Sequence, residues 1–258
     1  ITISFDTQVY ANKKAVDFII CDHHNPGEKV PDAVAILNPK QIDCDYPYKE
    51  LSGCGVGFKL IQAFSKQNNI DFSEIMEYLD LLTVSIGADI VPMTGENRVF
   101  SFYGLQQINK NPRVGLKALM EIANKTKDVT ITDVVFGVAP RINAAGRIEH
   151  AKKAVDILVE TDYAKAKLFA DKIEGNNTTR KGLDKSITME ALEMIDVKKK
   201  STVVHSEHWH KGVVGIVASR LIETHYKPTI VLAEKDGILT GSARSVHDFD
   251  LYSAIAKC

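Results

Sequence analysis

The chain has 258 residues, 45% hydrophobic and 25% charged, which fits one large or two ordinary globular domains and excludes global disorder. Its 32 Lys and Arg against 33 Asp and Glu give a net charge of -1, which excludes a uniformly basic nucleic-acid coat but not a local basic cleft. No apolar run reaches the roughly 18 residues of a membrane span. The four cysteines lack the paired spacing of a zinc site and are too few for a disulfide scaffold. We therefore expect a reduced, cytoplasmic protein.

The first half of the chain alternates between apolar runs typical of strands and stretches with helical periodicity. Strands are predicted over 1–5, 16–21 and 34–37, and helices over 56–64, 75–86 and 114–122. Strands that alternate with helices indicate an α/β fold with a doubly wound parallel sheet. Because the chain opens inside a predicted strand, we expect further sequence before Ile1.

The second half begins with a predicted polar turn over 140–147, followed by a charged, Lys-rich and almost entirely helical stretch over 151–195. The elements predicted after it are a strand over 202–205, a helix over 213–226, a strand over 229–233, a turn at 236–237 and a strand around 238–239. We therefore predict two α/β domains, the second smaller than the first, joined by a helical connector.

Acidic residues follow apolar runs at three places. These are Asp6, the cluster of Asp22, His23 and His24, and Asp89. Because the carboxyl ends of parallel strands converge on the ligand crevice of an open sheet, we expect these side chains to lie close together. Carboxylates that close repel unless a cation neutralises them, and oxygen ligands with one imidazole suit Mn²⁺ or Mg²⁺ better than zinc. The sequence thus predicts a metal site, with a polar helix-capping turn as the alternative for 22–25.

Two segments of the third region have the residue types of an anion site. The segment 241–245 combines a Gly-Ser turn with an arginine whose planar guanidinium matches phosphate oxygens. The segment 208–212 opens a predicted helix, where free N–H groups favour an anion. A zinc site of His205, His208 and His210 is disfavoured because no cysteine lies nearby. The candidate phosphate ligands are His210, Ser242 and Arg244.

A third candidate for phosphate binding is the segment 139–147, in which two arginines flank small residues that admit a close-approaching backbone. Its candidate ligands are Arg141, Asn143 and Arg147. A helix end with two solvated arginines explains the same pattern equally well.

The helical connector carries many basic side chains, interrupted by acidic ones, and this mixture is typical of a solvated helix face. Contact with a nucleic-acid backbone is the alternative interpretation. The basic residues are Lys165, Lys167, Lys172, Arg180, Lys181 and Lys185.

The sequence resembles the DHH phosphoesterase superfamily, whose hallmark is the run Asp22-His23-His24 after an apolar strand. Three further stretches, 141–147, 209–220 and 241–245, are similar to one branch of it, the RecJ-type single-strand-specific 5′→3′ DNA exonucleases. The resemblance spans nearly the whole chain and implies a deep cleft between two domains. The implied parts are a DHH domain over 1–150, a connector over 151–198 and a DHH-associated domain over 199–258.

The resemblance also implies roles for the candidate residues. Asp6 matches an acidic residue that bridges two Mn²⁺ ions, with Mg²⁺ as an alternative, while His23 and Asp89 complete the ligands of one ion. Asp22 and His24 match supporting residues that orient ligands or meet the substrate phosphate. The residues that resemble the family's pocket for the 5′-terminal phosphate are Ser242 and Arg244, with a contribution from Arg141.

The implied function is hydrolysis of single-stranded DNA from its 5′ end to 5′-mononucleotides, in DNA repair and recombination. The expected partners are single-stranded DNA and a single-strand-binding protein or helicase, and we expect a monomer. The chain departs from the family pattern in three ways: it lacks an acidic pair before Asp6, it has a short Asp6-to-Asp22 spacing, and it lacks a C-terminal oligonucleotide-binding barrel. We therefore expect the core of a longer protein, truncated at both ends.

Two other functions fit parts of the pattern. One is a DHH phosphodiesterase that acts on short oligonucleotides or cyclic dinucleotides, and the connector together with 141–147 argues against it. The other is a scaffold that binds single strands without metal. Intact His23 and Asp89 argue against the scaffold, because unpaired charged groups in a cleft are costly to retain.

Overall fold

The computed structural model describes residues 5–27, 29–149 and 151–257. The chain divides into two compact units, the first formed by Ile1–Asn143 with Val155–Asp171 and the second by Ala144–Ala154 with Lys172–Cys258. The predicted boundaries at 150 and 198 stay a prediction. No helix in the described ranges combines the length and apolarity that crossing a membrane requires.

The first unit begins with helix α1 (Phe5–Lys13), strand β1 (Ile19–Cys21) and strand β2 (Ala35–Leu37). The two strands are parallel, in register from Ile19↔Ala35 to Cys21↔Leu37, which confirms the α/β class with a parallel sheet. Residues 1–4 of the first predicted strand lie outside the described residues. Phe5 and Asp6 are helical, so the expectation that Asp6 directly ends a strand is wrong; an acidic residue in the first turn of a helix is stabilised by the helix dipole.

Helices form the rest of the first unit. They are α2 (Gly53–Gln67), α3 (Phe72–Ile75) with a 3₁₀ turn (Met76–Tyr78), α4 (Leu79–Asp89), α5 (Gly95–Lys110), α6 (Val114–Ile122), α7 (Ile131–Asp133), a π-helical turn (Val134–Val138) and the start of α8 (Ala139–Ile148), whose residues from Ala144 onward belong to the second unit. The predicted helices over 56–64 and 114–122 are confirmed within these bounds. The helix predicted over 75–86 is confirmed from Leu79 onward, where α4 begins after the 3₁₀ turn. Helices α4 and α5 pack closely at Gly104, where a Cβ atom would lie 2.0 Å from Thr83 Oγ1.

The turn predicted over 140–147 is wrong, because these residues form α8. Pro140 lies just after the π-helical turn in an unbroken helical run from Ile131 to Ile148, and a π turn next to a proline is a typical place for the regular helix hydrogen bonds to be interrupted. Ala144 and Ala145 are fully buried in the helix, so the small residues serve packing.

The second unit contains a three-stranded sheet covered by a helix. Its elements are α9 (Lys152–Val159) and α10 (Tyr163–Glu193), each shared with the first unit, then β3 (Thr202–Ser206), α11 (Val214–Thr224), β4 (Thr229–Lys235), β5 (Ile238–Arg244) and α12 (Leu251–Ala256). The strand order is β3-β4-β5, with β3 and β4 parallel and β4 and β5 antiparallel. Val204, Val217, Leu221 and Val231 form its core around Trp209.

The expectation that 241–245 is a turn after a short strand is also wrong. A hairpin turn with positive φ at Asp236 (54°) and Gly237 (75°) returns the chain along β4, and β5 stays paired as far as Thr229↔Arg244. Gly241 suits this strand because a Cβ there would lie 2.1 Å from the Val231 carbonyl oxygen. Ser242 and Arg244 are therefore held on a strand.

Candidate functional site

The cluster of Asp22, His23 and His24 forms a turn directly after β1. Asp22 is buried, and its Oδ1 accepts hydrogen bonds from the backbone N–H of His23 (2.7 Å) and His24 (3.1 Å) and from the His24 ring at Nδ1 (2.7 Å). Its own N–H donates to the Leu37 carbonyl at 3.0 Å, which continues the pairing with β2. Asp22 thus shapes the turn and orients the exposed imidazole of His24.

Burial by itself would raise the pKa of Asp22. The hydrogen bonds from the His24 side chain and from the backbone of His24 and His23 outweigh burial, so the pKa is lowered overall. Asp22 therefore remains ionised across the physiological range, and a buried negative charge lies at the carboxyl end of β1.

His23 and Asp89 approach each other, as the sequence predicts, with Nε2 and Oδ2 3.9 Å apart. The side chain of His23 is 17% exposed and that of Asp89 is 39% exposed. Gly53, the first residue of α2, lies against the imidazole, because a Cβ there would be 3.5 Å from His23 Cδ2. The absence of a side chain at Gly53 leaves room beside the ring.

Asp89 does not end a strand, contrary to the expectation; it is the last residue of α4. The next residue, Ile90, has a φ of 53° and ends the helix in the left-handed region. The C-terminus of a helix carries partial negative charge and favours a cation. A carboxylate at this position therefore gains from a bound positive charge.

Two serines that the sequence analysis missed connect Asp89 to α2. Ser85 Oγ donates to Ser52 Oγ at 3.2 Å and lies 3.4 Å from Asp89 Oδ2. Ser52 caps α2 by accepting the N–H of Gly55 at 3.1 Å. The signals available in the sequence were the N-cap position of Ser52 and the four-residue spacing from Ser85 to Asp89.

Asn38, which the sequence analysis also missed, supports the turn at 22–24 from the end of the neighbouring strand. It follows β2 as Asp22 follows β1, it is buried, and its Nδ2 donates to the His24 carbonyl at 2.8 Å. Its Oδ1 accepts the N–H of Lys40 at 3.0 Å. The sequence contained a signal for Asn38: it directly follows the strand predicted over 34–37, and the carboxyl ends of parallel strands meet at one edge of the sheet.

The imidazole of His23 and the carboxylate of Asp89 are chemically suited to be two ligands of one metal ion. A separation of 3.9 Å is too long for a hydrogen bond, but two ligands each about 2.1 Å from one ion can span it. Imidazole nitrogen with carboxylate oxygen suits Mn²⁺ or Mg²⁺. The side chain of Asp6 is exposed and has no hydrogen-bond or ion-pair partner within the described residues. Across those residues no group of three or more His, Cys, Asp or Glu side chains is arranged to hold an ion, and the metal-binding role of His23, Asp89 and Asp6 stays a prediction.

A second cluster lies at the start of α11 in the second unit. Arg244 donates from Nη1 to Ser242 Oγ (2.8 Å) and from Nε to Ser219 Oγ (3.1 Å). A Cβ on Gly215, in the first turn of α11, would lie 3.2 Å from Ser242 Oγ and 3.4 Å from Arg244 Nη2. The predicted pair is thus brought together beside a helix N-terminus, where unpaired N–H groups favour an anion.

Arg147 and His210 reach the loop that precedes this helix. Arg147 Nη1 donates to the Gly212 carbonyl at 3.1 Å, and His210 Nδ1 accepts the Gly212 N–H at 3.1 Å. Partial burial, and then the positive charges of Arg180 and Arg244, lower the pKa of the Arg147 guanidinium. Arg180 and Arg244 therefore each lie within electrostatic reach of Arg147. The sequence analysis had placed Arg180 on a solvated helix face.

Arg141 and Asn143 belong to the first unit. Arg141 donates from Nη1 to the Gly137 carbonyl at 2.7 Å and from Nη2 to the Ile122 carbonyl at 3.3 Å, so its guanidinium braces the helices around the π-helical turn. Asn143 is exposed. A role in phosphate binding stays a prediction for both residues.

The chain is similar to known proteins, over its N-terminal part to a family model and over most of its length to individual proteins. The family described as "DHH family, N-terminal domain" matches residues 3–86. The chain is 40% identical over 255 residues to the single-stranded-DNA-specific exonuclease RecJ of Bacillus subtilis, with 96% of this chain and 32% of that protein covered. It is 33% identical over 267 residues to the protein of the same name from Escherichia coli, with 96% and 46% covered. The chain thus spans between about a third and a half of the length of these relatives.

Two solved structures superpose on nearly the whole chain. RecJ of Thermus thermophilus in complex with Mn²⁺ has a TM-score of 0.86 at 28% identity, with 99% of this chain and 38% of that chain covered. A structure of exonuclease RecJ bound to manganese has a TM-score of 0.81 at 30% identity, with 98% and 64% covered.

Proposed function

Because the chain belongs to the DHH family and is of the RecJ type, we propose that it forms the catalytic core of a single-stranded-DNA-specific 5′→3′ exonuclease that releases 5′-mononucleotides. The observation that carries this proposal is the approach of His23 and Asp89 to 3.9 Å beside the turn built by Asp22. A small-substrate phosphodiesterase would share these ligands, but the relatives that match most of the chain are named as exonucleases.

His23 and Asp89 would hold one divalent cation, Mn²⁺ or Mg²⁺, and Asp6 is the proposed bridge to a second. A bound divalent cation polarises the scissile phosphate and lowers the pKa of a water molecule. Asp22 fixes the direction of His24 through its hydrogen bond at 2.7 Å, so that the exposed imidazole is presented to the substrate phosphate. The buried charge of Asp22 would also favour a cation held by the neighbouring His23.

The cluster at the start of α11 would bind the 5′-terminal phosphate. Ser242 and Arg244 supply a hydroxyl and a guanidinium, and Arg147 adds a second guanidinium beside the loop that His210 braces. Charge-assisted hydrogen bonds to a terminal phosphate select an end over an internal position. This selection gives the direction of digestion. Arg141 and Asn143 remain proposed contributors.

We also propose the setting of the enzyme. It would act in the cytoplasm as a monomer, in DNA repair and recombination, together with a single-strand-binding protein or a helicase. The near-balanced charge of this chain supports a need for such help, because a net charge of -1 gives little general attraction to DNA.

A strand labelled at its 5′ end tests the proposal with the intact protein and Mn²⁺. The expected first labelled product is a mononucleotide, formed from single strands and not from blunt duplex, and formation should stop when the metal is chelated. Labelled oligonucleotides would indicate internal cleavage, and faster hydrolysis of dinucleotides than of long strands would indicate a small-substrate phosphodiesterase. Binding without cleavage would indicate a scaffold.

A further inference from the structure

A basic groove lies along α10 in the second unit, with Arg220 of α11 at its side. Its volume is about 560 Å³, and none of the proposed metal ligands lines it. The lining residues are Arg180, Lys181, Asp184, Lys185, Thr188, Met189 and Arg220. Four cationic side chains thus share one depression with a single carboxylate.

That carboxylate is already neutralised. Asp184 is buried and receives a two-pronged ion pair from Arg220, with Nε to Oδ1 and Nη2 to Oδ2 both at 2.8 Å. The pair fixes the guanidinium of Arg220, whose side chain is 52% exposed. The negative charge in the groove therefore offsets Arg220 and leaves the other three cations without compensation.

Lys181 and Lys185 are exposed and, unlike Arg220, are not paired with Asp184. They are four residues apart on α10, so they lie on the same face, and like charges at this spacing repel each other. Neither lysine forms an ion pair with any residue in the described ranges. Their charges oppose helix formation locally and are available to a ligand.

Arg180 is the half-buried cation of the groove. Its Nη2 donates to Oδ1 of the buried Asn177 at 3.2 Å, and its Nε is buried without a hydrogen-bond partner among the described residues. The Arg180 charge also acts on Arg147. Arg180, which lines the groove, is therefore within electrostatic reach of Arg147.

We propose that this groove binds phosphodiester groups of the DNA strand beyond its terminal nucleotide, with Lys181 and Lys185 as the main contacts. This inference rests on the proposed function, and it assigns a second binding surface to the single DNA strand that is the proposed substrate. The lining residues within the described chain include no aromatic side chain, so the contacts are to backbone phosphates and carry no sequence preference. Such contacts lengthen the segment of strand that the protein grips.

The double variant Lys181→Gln/Lys185→Gln tests the groove in the intact protein. We expect kcat/KM for a 5′-phosphorylated 20-mer, relative to that for a trinucleotide, to fall about tenfold. The slope of log binding constant against log salt should fall by about 1.4, from about 0.7 for each lost phosphate contact. The matched control is Lys198→Gln/Lys199→Gln, which removes two exposed lysines of the same unit outside the groove.

Binding of the same 20-mer, followed by fluorescence anisotropy in the presence of EDTA, separates the two proposals. If the parent protein cleaves strands but the groove variant matches the control, the groove assignment is overturned and the proposed function stands. Equal losses on the trinucleotide and the 20-mer would also overturn it. If the parent protein cleaves nothing while the groove variant alone loses affinity and salt dependence, the groove stands and the nuclease proposal fails.

Discussion

The substitution Asp89→Asn is expected to abolish strand cleavage, lowering kcat/KM by at least about 10³-fold, since a bound divalent ion contributes several kcal/mol of charge stabilisation and each 1.36 kcal/mol is about tenfold in rate. The amide keeps the shape of the side chain but removes the charge that faces His23 at 3.9 Å. It also relieves the unfavourable carboxylate at the C-terminus of α4, so stability should be unchanged or slightly higher. Single-turnover hydrolysis of a 5′-labelled strand measures the rate, and thermal unfolding measures the stability.

The matched control is Asp43→Asn, which removes an exposed carboxylate from the same unit. It should cleave at the parental rate. Normal turnover by Asp89→Asn would refute a metal-binding role for Asp89. Loss of activity together with a lowered unfolding temperature would instead assign Asp89 a structural role.

The substitution Arg244→Ala is expected to weaken hydrolysis of strands with a 5′-phosphate by about 10- to 100-fold, the equivalent of about 1.5–3 kcal/mol for hydrogen bonds to a charged group. Strands that end in a 5′-hydroxyl should lose little, because they lack the group that Arg244 contacts. Arg244 is held by Ser242 and Ser219 at 2.8 and 3.1 Å, so its guanidinium is already oriented before substrate binds. The measurement is the ratio of kcat/KM for the two kinds of 5′ end.

The control for this prediction is Arg98→Ala, which removes an exposed arginine of the first unit. It should leave the ratio unchanged. Equal losses on phosphorylated and unphosphorylated ends would contradict a terminal-phosphate site at Arg244, and the direction of digestion would then need another explanation.

The sequence predicted the convergence of His23 and Asp89 but not the element that carries Asp89. The rule for parallel strands applies to Asp22 and Asn38, which follow β1 and β2 at one sheet edge. Asp89 approaches His23 from the end of a helix instead. The run before it, 84–88, has the pattern of a strand because most of its residues are buried and its sequence is mostly apolar. A buried helix and a buried strand give the same hydrophobic run over a short window.

Other features of the site depend on contacts between distant segments. Ser85 and Ser52 meet because α4 packs on α2, and 33 positions separate them in the chain. Turn signals misled at 140–147 and 241–245, where Pro140 lies within a helical run and Gly241 allows close strand pairing. Glycine and proline are common in turns, but whether such a segment forms a turn, a helix or a strand depends on the segments that pack against it, as β4 does against 241–244.

Titration of the intact protein with Mn²⁺, followed by the electron paramagnetic resonance signal of the free ion, tests the central claim most directly. The parent protein should deplete the free-ion signal at stoichiometric metal, while His23→Ala and Asp89→Asn should each weaken binding at least about tenfold, and Asp43→Asn should match the parent. Identical binding curves for all four proteins would show that the side chains meeting at 3.9 Å do not hold the ion.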